Sequence, residues 1–353
     1  IFDGAMGTSV QGYDLSADDF GGPRYEGCND YLVIARPDII AEIHRSFMAV
    51  GCDVLETDTF RSNRHTMQEY GLQARILEIN EAAARLARSV ADEFSTPDQP
   101  RFVAGSIGPT GMLPSTNDPM LSKISYQELA EIFQEQATGL LRGGVDLLLI
   151  ETSQDILEVK AAIAGLHRAC AAEGRRVPIQ AQVSLDTSGR MLLGTDVGAT
   201  LAILEPLGIN IIGINCSTGP DYMREPVRYL TSHTTLPISV IPNAGLPLNV
   251  DGVAFYPMKP VPMAEQLAEF VTEFGVNIVG GCCGTTPDHL REIVARVGDA
   301  NPWAHRPTEI DDQPRLASAM RALEMAQEPR PLMIGERVNT LGSRKVKQLL
   351  LND

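Results

Sequence analysis

Two adjacent cysteines, Cys282 and Cys283, could together bind a metal ion. They follow the apolar run of residues 276–279 and a Gly-Gly pair, and Gly-Thr-Thr-Pro comes directly after them. This pattern predicts a buried strand that ends in a tight turn into a helix, with glycines that let the backbone bend and both sulfurs face one ion. Two neighbouring sulfurs can bind one soft metal if a third ligand arrives from elsewhere. Buried free cysteines are also common, so the pair alone leaves a metal site and two small buried side chains as alternatives.

Cys216 is the candidate for the third thiolate, because it ends another predicted strand, residues 210–216. Three protein thiolates with an open fourth position are typical of a working zinc site, whereas a structural site has four protein ligands. Glutamate, histidine or water could complete the set. The sequence has no Cys-x-x-Cys pair, which argues against a zinc ribbon or finger. Four histidines fall on predicted helices or loops, where solvated or core roles are favoured: His65, His167, His233 and His289.

Several polar residues also follow predicted strands directly: Asp3, Glu56, Glu151 and Asn243. The carboxyl ends of barrel strands form one mouth, so these residues become neighbours there. Each has a simpler alternative role. The glutamates could cap the next helix or pair with an arginine, Asp3 could cap its Asp-Gly turn, and Asn243 could be a turn residue. Their coincidence at one mouth favours a binding site.

Eight strand-then-helix units position these residues. The predicted strands lie near residues 1–8, 52–60, 102–107, 145–152, 178–185, 210–216, 238–243 and 276–279, and the helices between them lie near 37–50, 73–94, 125–142, 155–172, 198–207, before 231, 262–274 and before 297. Short all-apolar strands in this alternation predict an α/β fold, a closed (βα)8 TIM barrel with the metal site at the carboxyl-terminal mouth of its strands. An open doubly wound sheet is the alternative, but no Gly-x-Gly-x-x-Gly follows the first strand.

Composition limits the partners and the compartment. Among 353 residues, 29 Lys+Arg face 45 Asp+Glu, which gives a net charge of −16 and argues against a nucleic-acid partner. No apolar run is long enough to span a membrane, and no signal peptide is visible. Six cysteines are too few for a disulfide scaffold of this size, so a reducing cytoplasm is expected. Because the sequence starts within an apolar run, we expect further residues before Ile1.

The alternation of predicted strands and helices changes after residue 300. Residues 1–300 are predicted to form the barrel and residues 301–330 an interdomain linker that includes a short helix ending near Pro329. Residues 331–339 then resemble the first strand of a new unit, and residues 344–351 its first helix. Residues 331–353 are therefore interpreted as the truncated start of a second domain.

The motifs resemble the homocysteine S-methyltransferase family over residues 1 to about 300. The resemblance rests on Asp3-Gly4-Ala5-Met6-Gly7-Thr8, Glu56-Thr57-Asp58-Thr59-Phe60, Gly213-Ile214-Asn215-Cys216 and Gly280-Gly281-Cys282-Cys283-Gly284-Thr285. Residues 334–343 resemble the opening of the pterin-binding (methyltetrahydrofolate) domain, with Val338 where threonine is usual. A homocysteine domain followed by a folate domain is the arrangement of the cobalamin-dependent members. Residues 24–30 also resemble the loop that follows the first strand in those members.

This resemblance implies that Cys216, Cys282 and Cys283 bind zinc, with the sulfur of homocysteine as fourth ligand. It implies that Asp3 and Glu151 lie near the amino-acid end of homocysteine, and the backbone of Gly4 and Ala5 near its carboxylate. Two further residues are candidates for the substrate site, Glu56 and Asn243, the latter near zinc when substrate is absent. The implied reaction is methyl transfer from methylcobalamin to homocysteine, giving methionine, with cobalamin and methyltetrahydrofolate bound by other domains of the same longer chain.

Two alternatives stay open at this point. A stand-alone homocysteine methyltransferase that uses betaine or S-methylmethionine would have the same barrel site, and only the folate-like tail argues against it. A zinc hydrolase or a zinc-stabilised scaffold barrel belongs to another class. A hydrolase usually has histidine or carboxylate ligands and an acid/base partner for bound water.

Overall fold

A parallel seven-stranded sheet forms the centre of the computed structural model, which describes residues 1–250, 253–328 and 343–351. The strands of this sheet, in their spatial order, are β1 (Val54–Glu56), β2 (Phe102–Ile107), β3 (Leu147–Ser153), β4 (Ile179–Val183), β5 (Ile211–Asn215), β6 (Ile238–Ile241) and β9 (Ile278–Val279). Strands that are adjacent in this sheet also follow one another among the seven strands along the chain, and every adjacent pair is parallel. The carboxyl ends of all these strands therefore lie at one edge.

The first residues of the chain close this sheet into a barrel. Phe2 donates its backbone N–H to Val279 at 2.9 Å, and Asp3 donates to Val54 at 3.0 Å. Phe2 also forms a parallel bridge with Val54. The opening segment therefore lies between β1 and β9 and acts as the remaining strand of the barrel. The predicted (βα)8 TIM barrel is confirmed, and the open-sheet alternative is wrong.

Helices alternate with these strands as the sequence predicts. They are α1 (Met6–Gln11), α2 (Leu32–Ala35), α3 (Pro37–Met48), α4 (Ile76–Phe94), α5 (Tyr126–Gly143), α6 (Ile156–Ala172), α7 (Val197–Leu204), α8 (Arg224–His233), α9 (Pro260–Phe274), α10 (Pro287–Val297) and α11 (Arg344–Leu351). Their starts follow local rules. In α5 the Ser125 hydroxyl accepts from the backbone N–H of Glu128, whose carboxylate accepts from the backbone N–H of Ser125 at 2.8 Å. In α3 and α10 a proline occupies the first turn.

Strand β3 shows how both faces of the sheet are covered. Leu147 and Leu149 are buried in an apolar cluster inside the barrel, together with Phe2. Leu148 and Ile150 point the other way and pack in the larger core beneath the helices. Successive side chains of a strand face opposite sides, so an all-apolar strand needs cover on both. Apolar side chains thus fill this part of the barrel interior.

The segment after the barrel contains a hairpin where the sequence predicts a helix. Within the described part of residues 301–330, β10 (Arg315–Ala317) pairs antiparallel with β11 (Ala322–Glu324), so the short helix ending near Pro329 is wrong. The backbone N–H of Asp196 donates to Met320 at 3.1 Å, which ties the hairpin to the barrel. A short isolated helix is marginal, whereas this pairing gives the backbone stable partners.

The predicted second unit is described only in part. The predicted strand at residues 331–339 lies outside the described residues, and α11 occupies the predicted helix position. The division into domains stays a prediction.

The loop after β6 contains a second hairpin, β7 (Leu248–Val250) with β8 (Val253–Phe255). Among the described residues, no helix combines the length and hydropathy needed to cross a bilayer.

A buried carboxyl in α6 gives the fold a pH dependence that can be measured. Burial raises the pKa of Glu158 to about 7, although Thr110 donates its backbone N–H at 2.9 Å. A carboxyl whose pKa is raised in the folded protein lowers the free energy of unfolding as the pH rises. The loss begins near its pKa in the unfolded chain, about 4.5, and continues through about 7. Glu158→Gln is therefore expected to gain up to about 3 kcal/mol at pH 8 and little at pH 4.5. Urea unfolding at both pH values measures this difference. The exposed Glu131→Gln is the control, and an equal gain at both pH values contradicts the assignment.

Candidate functional site

The three predicted thiolate ligands meet at the carboxyl-terminal edge of the sheet. Cys216 follows β5 directly, and Cys282 and Cys283 follow β9. The Sγ atom of Cys283 lies 4.0 Å from that of Cys216 and 3.9 Å from that of Cys282. All three sulfurs lie within 4.8 Å of one another, and they form the one such group of potential metal ligands in the described part of the chain. The structure thus brings together residues that are 67 positions apart in the sequence.

Backbone hydrogen bonds to the loop after β6 hold the cysteines in place. Cys216 donates its N–H to Ile241 at 3.0 Å, Cys282 donates to Pro242 at 2.8 Å, and Cys283 accepts from Ala244 at 2.9 Å. Cys216 has a φ of 58°, in the left-handed region that is unfavourable for residues with a side chain. Such strain persists where surrounding structure imposes it, and it is common at functional sites.

Close packing requires glycine at both positions of the pair before the cysteines. Neither Gly280 nor Gly281 has a positive φ. A Cβ on Gly281 would lie 2.5 Å from Oγ1 of Thr285, which accepts from the N–H of Ala5 at 3.1 Å and donates to the carbonyl of Cys282 at 2.6 Å. A left-handed backbone therefore does not require glycine at either position, and the bend expected from the sequence stays a prediction. These glycines let the first strand and the cysteine turn approach closely.

The pKa values of the three thiols indicate that the cluster favours a bound cation. The thiols of Cys216 and Cys282 donate to the Cys283 sulfur and lower its pKa to about 3. Contacts with the sulfurs of Cys216 and Cys283 raise the pKa of Cys282 well above its ordinary value. One thiolate is therefore stabilised by two neighbouring thiols. All three can ionise together only if a positive charge lies among them, and three soft sulfurs select zinc over hard cations.

A cavity of about 410 Å³ opens beside the sulfurs. It is lined by all three cysteines and by five of the predicted substrate residues: Asp3, Gly4, Ala5, Glu56 and Glu151. Asn243 is not part of this lining. Its side chain is buried, and its Oδ1 has no hydrogen-bond partner within the described structure. Asn243 accordingly stays a prediction.

Three of the lining residues form a buried acidic cluster. Burial raises the pKa of Glu151 to about 7, although the Ser106 hydroxyl and the Asn215 amide, at 3.2 Å, donate to it. Burial and the charge of Glu151 also raise the pKa values of Asp3 and Glu56. Asp3 accepts from the backbone N–H of Glu56 at 3.2 Å, which partly offsets the effect. A cationic ligand group would relieve the repulsion within this cluster.

Comparison with known proteins assigns the chain to a family. The family described as homocysteine S-methyltransferase matches residues 1–297. The chain belongs to the homocysteine S-methyltransferase family. This membership favours a methyltransferase over the zinc hydrolase and scaffold alternatives.

Relatives and solved structures agree with this assignment. Methionine synthase of Mycobacterium leprae (strain TN) is 44% identical over 99% of this chain and 29% of its own length. Methionine synthase of Mycobacterium tuberculosis (strain ATCC 25618 / H37Rv) is 43% identical with the same coverage. This chain thus spans less than a third of these relatives. The metallated homocysteine methyltransferase MmuM from Escherichia coli is 22% identical, with a TM-score of 0.66 over 84% of this chain and 95% of its own, which shows a shared fold.

Two residues at this site, Asn215 and Ser106, are not among the site residues predicted from the sequence. Asn215 donates to Glu151 and to Oγ1 of Thr152 at 2.9 Å, while its Oδ1 accepts from the N–H of Thr152 at 2.8 Å. It therefore links the acidic cluster to the strand that ends at Cys216. A polar residue at the end of an apolar strand, next to a predicted ligand, is the signal that could have identified it. Ser106 has a similar position at the end of β2.

Proposed function

We propose that this chain binds homocysteine beside a zinc ion held by Cys216, Cys282 and Cys283, and presents its sulfur for methylation to methionine. The observation that carries the proposal is the position of three sulfurs within 4.8 Å of one another on the wall of a cavity that also contains buried carboxyls. Zinc at this site would act as a Lewis acid that lowers the pKa of the substrate thiol. The chain itself supplies the sulfur ligands, the cavity and the contacts to the amino-acid end.

The acidic cluster suits the ammonium group of homocysteine. Asp3 and Glu151 are buried and Glu56 is half-buried. Burial raises the pKa values of all three carboxyls, and the charge of Glu151 raises those of Asp3 and Glu56 further. An ammonium group placed among them would restore charge balance. For the carboxylate of homocysteine, the backbone of Gly4 is the stronger candidate, because the N–H of Ala5 already donates to Thr285. A substrate held at both ends places its sulfur reproducibly.

We infer that the methyl donor is methylcobalamin, carried by another domain of a longer chain and recharged from methyltetrahydrofolate. The methionine synthase relatives extend far beyond the matched region, which supports further domains as partners. Residues 331–353 would then begin the folate-binding domain. The donor would approach from the mouth of the barrel, and its docking and release require domain motion. Six free cysteines are consistent with a reducing cytoplasm.

A donor comparison tests this proposal. The zinc-loaded protein with homocysteine is expected to form methionine from free methylcobalamin. The released cobalamin should keep the electron pair of the broken cobalt–carbon bond on its cobalt. Betaine and S-methylmethionine are expected to give only the rate of a protein-free control. Methionine formation and the cobalamin absorbance are followed together, with Cys283→Ala as the inactive reference. Turnover with S-methylmethionine or betaine, but not with methylcobalamin, would instead establish a stand-alone homocysteine methyltransferase.

A further inference from the structure

The hairpin after the barrel exposes an apolar face and buries an arginine on the other face. Its strands β10 and β11 pair so that Leu316 lies opposite Leu323, and Arg315 lies opposite Glu324. Residues directly opposite each other point to the same face of a hairpin, and successive residues point to opposite faces. The two leucines are 46% and 55% exposed, whereas the side chain of Arg315 is 11% exposed. This reverses the usual arrangement, in which the apolar face packs on the core.

Polar contacts fix the hairpin to the outside of the barrel. The guanidinium group of Arg315 donates to the carboxylate of Asp311 at 2.6 Å. Asp311 in turn donates its backbone N–H to the carbonyl of Ser232, in α8, at 2.9 Å. At the turn of the hairpin, the hydroxyl of Thr195 donates to the carbonyl of Ala319 at 2.5 Å. The hairpin is therefore attached at its stem and at its turn, and the two leucines take no part in these bonds.

Two further large apolar side chains of the hairpin are exposed beside the leucines. Met320 lies in the turn, and Met325 comes directly after β11. A single exposed apolar residue is ordinary, but a group of them marks an interaction surface. An exposed apolar hairpin is also prone to aggregate, and a two-stranded hairpin is marginal without a surface to pack on. These properties together indicate a face that another protein surface covers.

The position of the hairpin in the chain favours the next domain as this partner. Met325 precedes residue 331, the predicted start of the second unit, by about six residues, which span at most about 20 Å when fully extended. The second unit must then begin close to the apolar face. A short tether gives its partner a high effective concentration, so even a small surface is enough for docking. The methionine synthase relatives, of which this chain spans 29%, are long enough to contain such a domain.

We propose that the apolar face of the β10–β11 hairpin is the docking surface for the folate-binding domain that follows it in a longer chain. This inference rests on the part of the proposed function that assigns further domains to the chain, and it does not depend on the zinc site. No described residue of the hairpin lines the cavity. A domain docked on this face therefore need not cover the substrate site.

Photocrosslinking in the longer chain tests the proposal. The crosslinking residue p-benzoylphenylalanine replaces Leu323 in a chain extended through the next domain, and mass spectrometry identifies the crosslinked peptides. We expect crosslinks within one chain, from position 323 to the next domain. Leu77 is the matched control position, because this leucine is also exposed but lies on α4. Equal yields at both positions would overturn the proposal. Crosslinks mainly between two chains would overturn it as well, in favour of contact between copies of the chain.

A double substitution gives an independent measurement. Leu316→Lys combined with Leu323→Lys places two charges on the exposed face, where they leave the barrel core untouched. In the longer chain we expect a nonspecific protease to cleave between Met325 and residue 331 about tenfold faster than in the unsubstituted protein, because the undocked segment is open more often. In the 353-residue chain, where the face is uncovered, the rate should not change. Leu77→Lys is the control.

The outcomes separate docking from the proposed chemistry. An unchanged cleavage rate in the longer double variant would contradict docking on this face. Methyl transfer from free methylcobalamin should be the same in the double variant and in the unsubstituted chain, because the hairpin does not line the cavity. If neither protein methylates homocysteine, the proposed reaction fails, while the crosslinks and cleavage rates still decide the docking surface.

Discussion

Replacing Cys216 with alanine is expected to reduce bound zinc from about one ion per chain to near zero, and methyl transfer with it. Cys282→Ala and Cys283→Ala should have the same effect. Each sulfur lies within 4.8 Å of the other two, so each substitution removes one of only three protein ligands. Structural zinc sites bind with about 10–16 kcal/mol, shared among the ligands, so losing a third of the set weakens binding by about two to four orders of magnitude.

Zinc content after dialysis against a weak chelator measures this effect, with protein concentration determined independently. Cys170→Ala is the matched control, because that cysteine is also free and only partly buried but lies on α6, outside the cluster. Circular dichroism shows whether a variant that loses zinc still folds. The barrel core is formed by apolar side chains and not by the sulfurs, so we expect folding to be kept. Full zinc content in all three cluster variants would mean that the site is assigned to the wrong residues.

The barrel could be predicted because its determinants are local. Most strands are short apolar runs, several helices have a local start signal, and their alternation limits the topology. The convergence of Cys216 with Cys282 and Cys283 then follows, because the carboxyl ends of parallel strands share one edge. The carboxylates Asp3 and Glu151 could be placed by the same rule. Nothing beyond strand order was needed to bring these residues together.

The remaining features depend on contacts between distant segments, which local patterns do not encode. Asn243 ends a strand like its neighbours, yet its side chain is buried away from the cavity lining. Tyr256 sits in a long loop that folds back so that the base of its side chain packs on Gly284. The hairpin of β10 and β11 replaces a predicted helix, and its turn bonds to Asp196 of the barrel. For the tyrosine and for the hairpin, a tertiary partner decides the conformation.

Homocysteine binding to the zinc-loaded protein is expected to release about one more proton than methionine binding at pH 7. A free thiol has a pKa of about 8.5 and is almost fully protonated at this pH, whereas a thiol bound to zinc loses its proton. Methionine has the same amino-acid end but no ionisable thiol. In the proposed site both ligands would place an ammonium group near Asp3, Glu56 and Glu151, whose raised pKa values allow proton release as well. The difference between the two ligands therefore isolates the proton of the sulfur.

Calorimetric titrations in buffers of different ionisation enthalpy measure the protons released by each ligand. The difference should fall towards zero near pH 10, because free homocysteine is then already a thiolate, and it should vanish in zinc-free protein and in Cys216→Ala. Equal release by homocysteine and methionine in the zinc-loaded protein would mean that the thiol proton is not lost to the buffer and would contradict activation by zinc. Activation would then have to come from a base, and the cavity offers Glu151, with a pKa of about 7, next to Cys283. The number of protons released at pH 7 distinguishes the two, since a proton accepted by Glu151 stays on the protein, whereas activation by zinc releases it to the buffer.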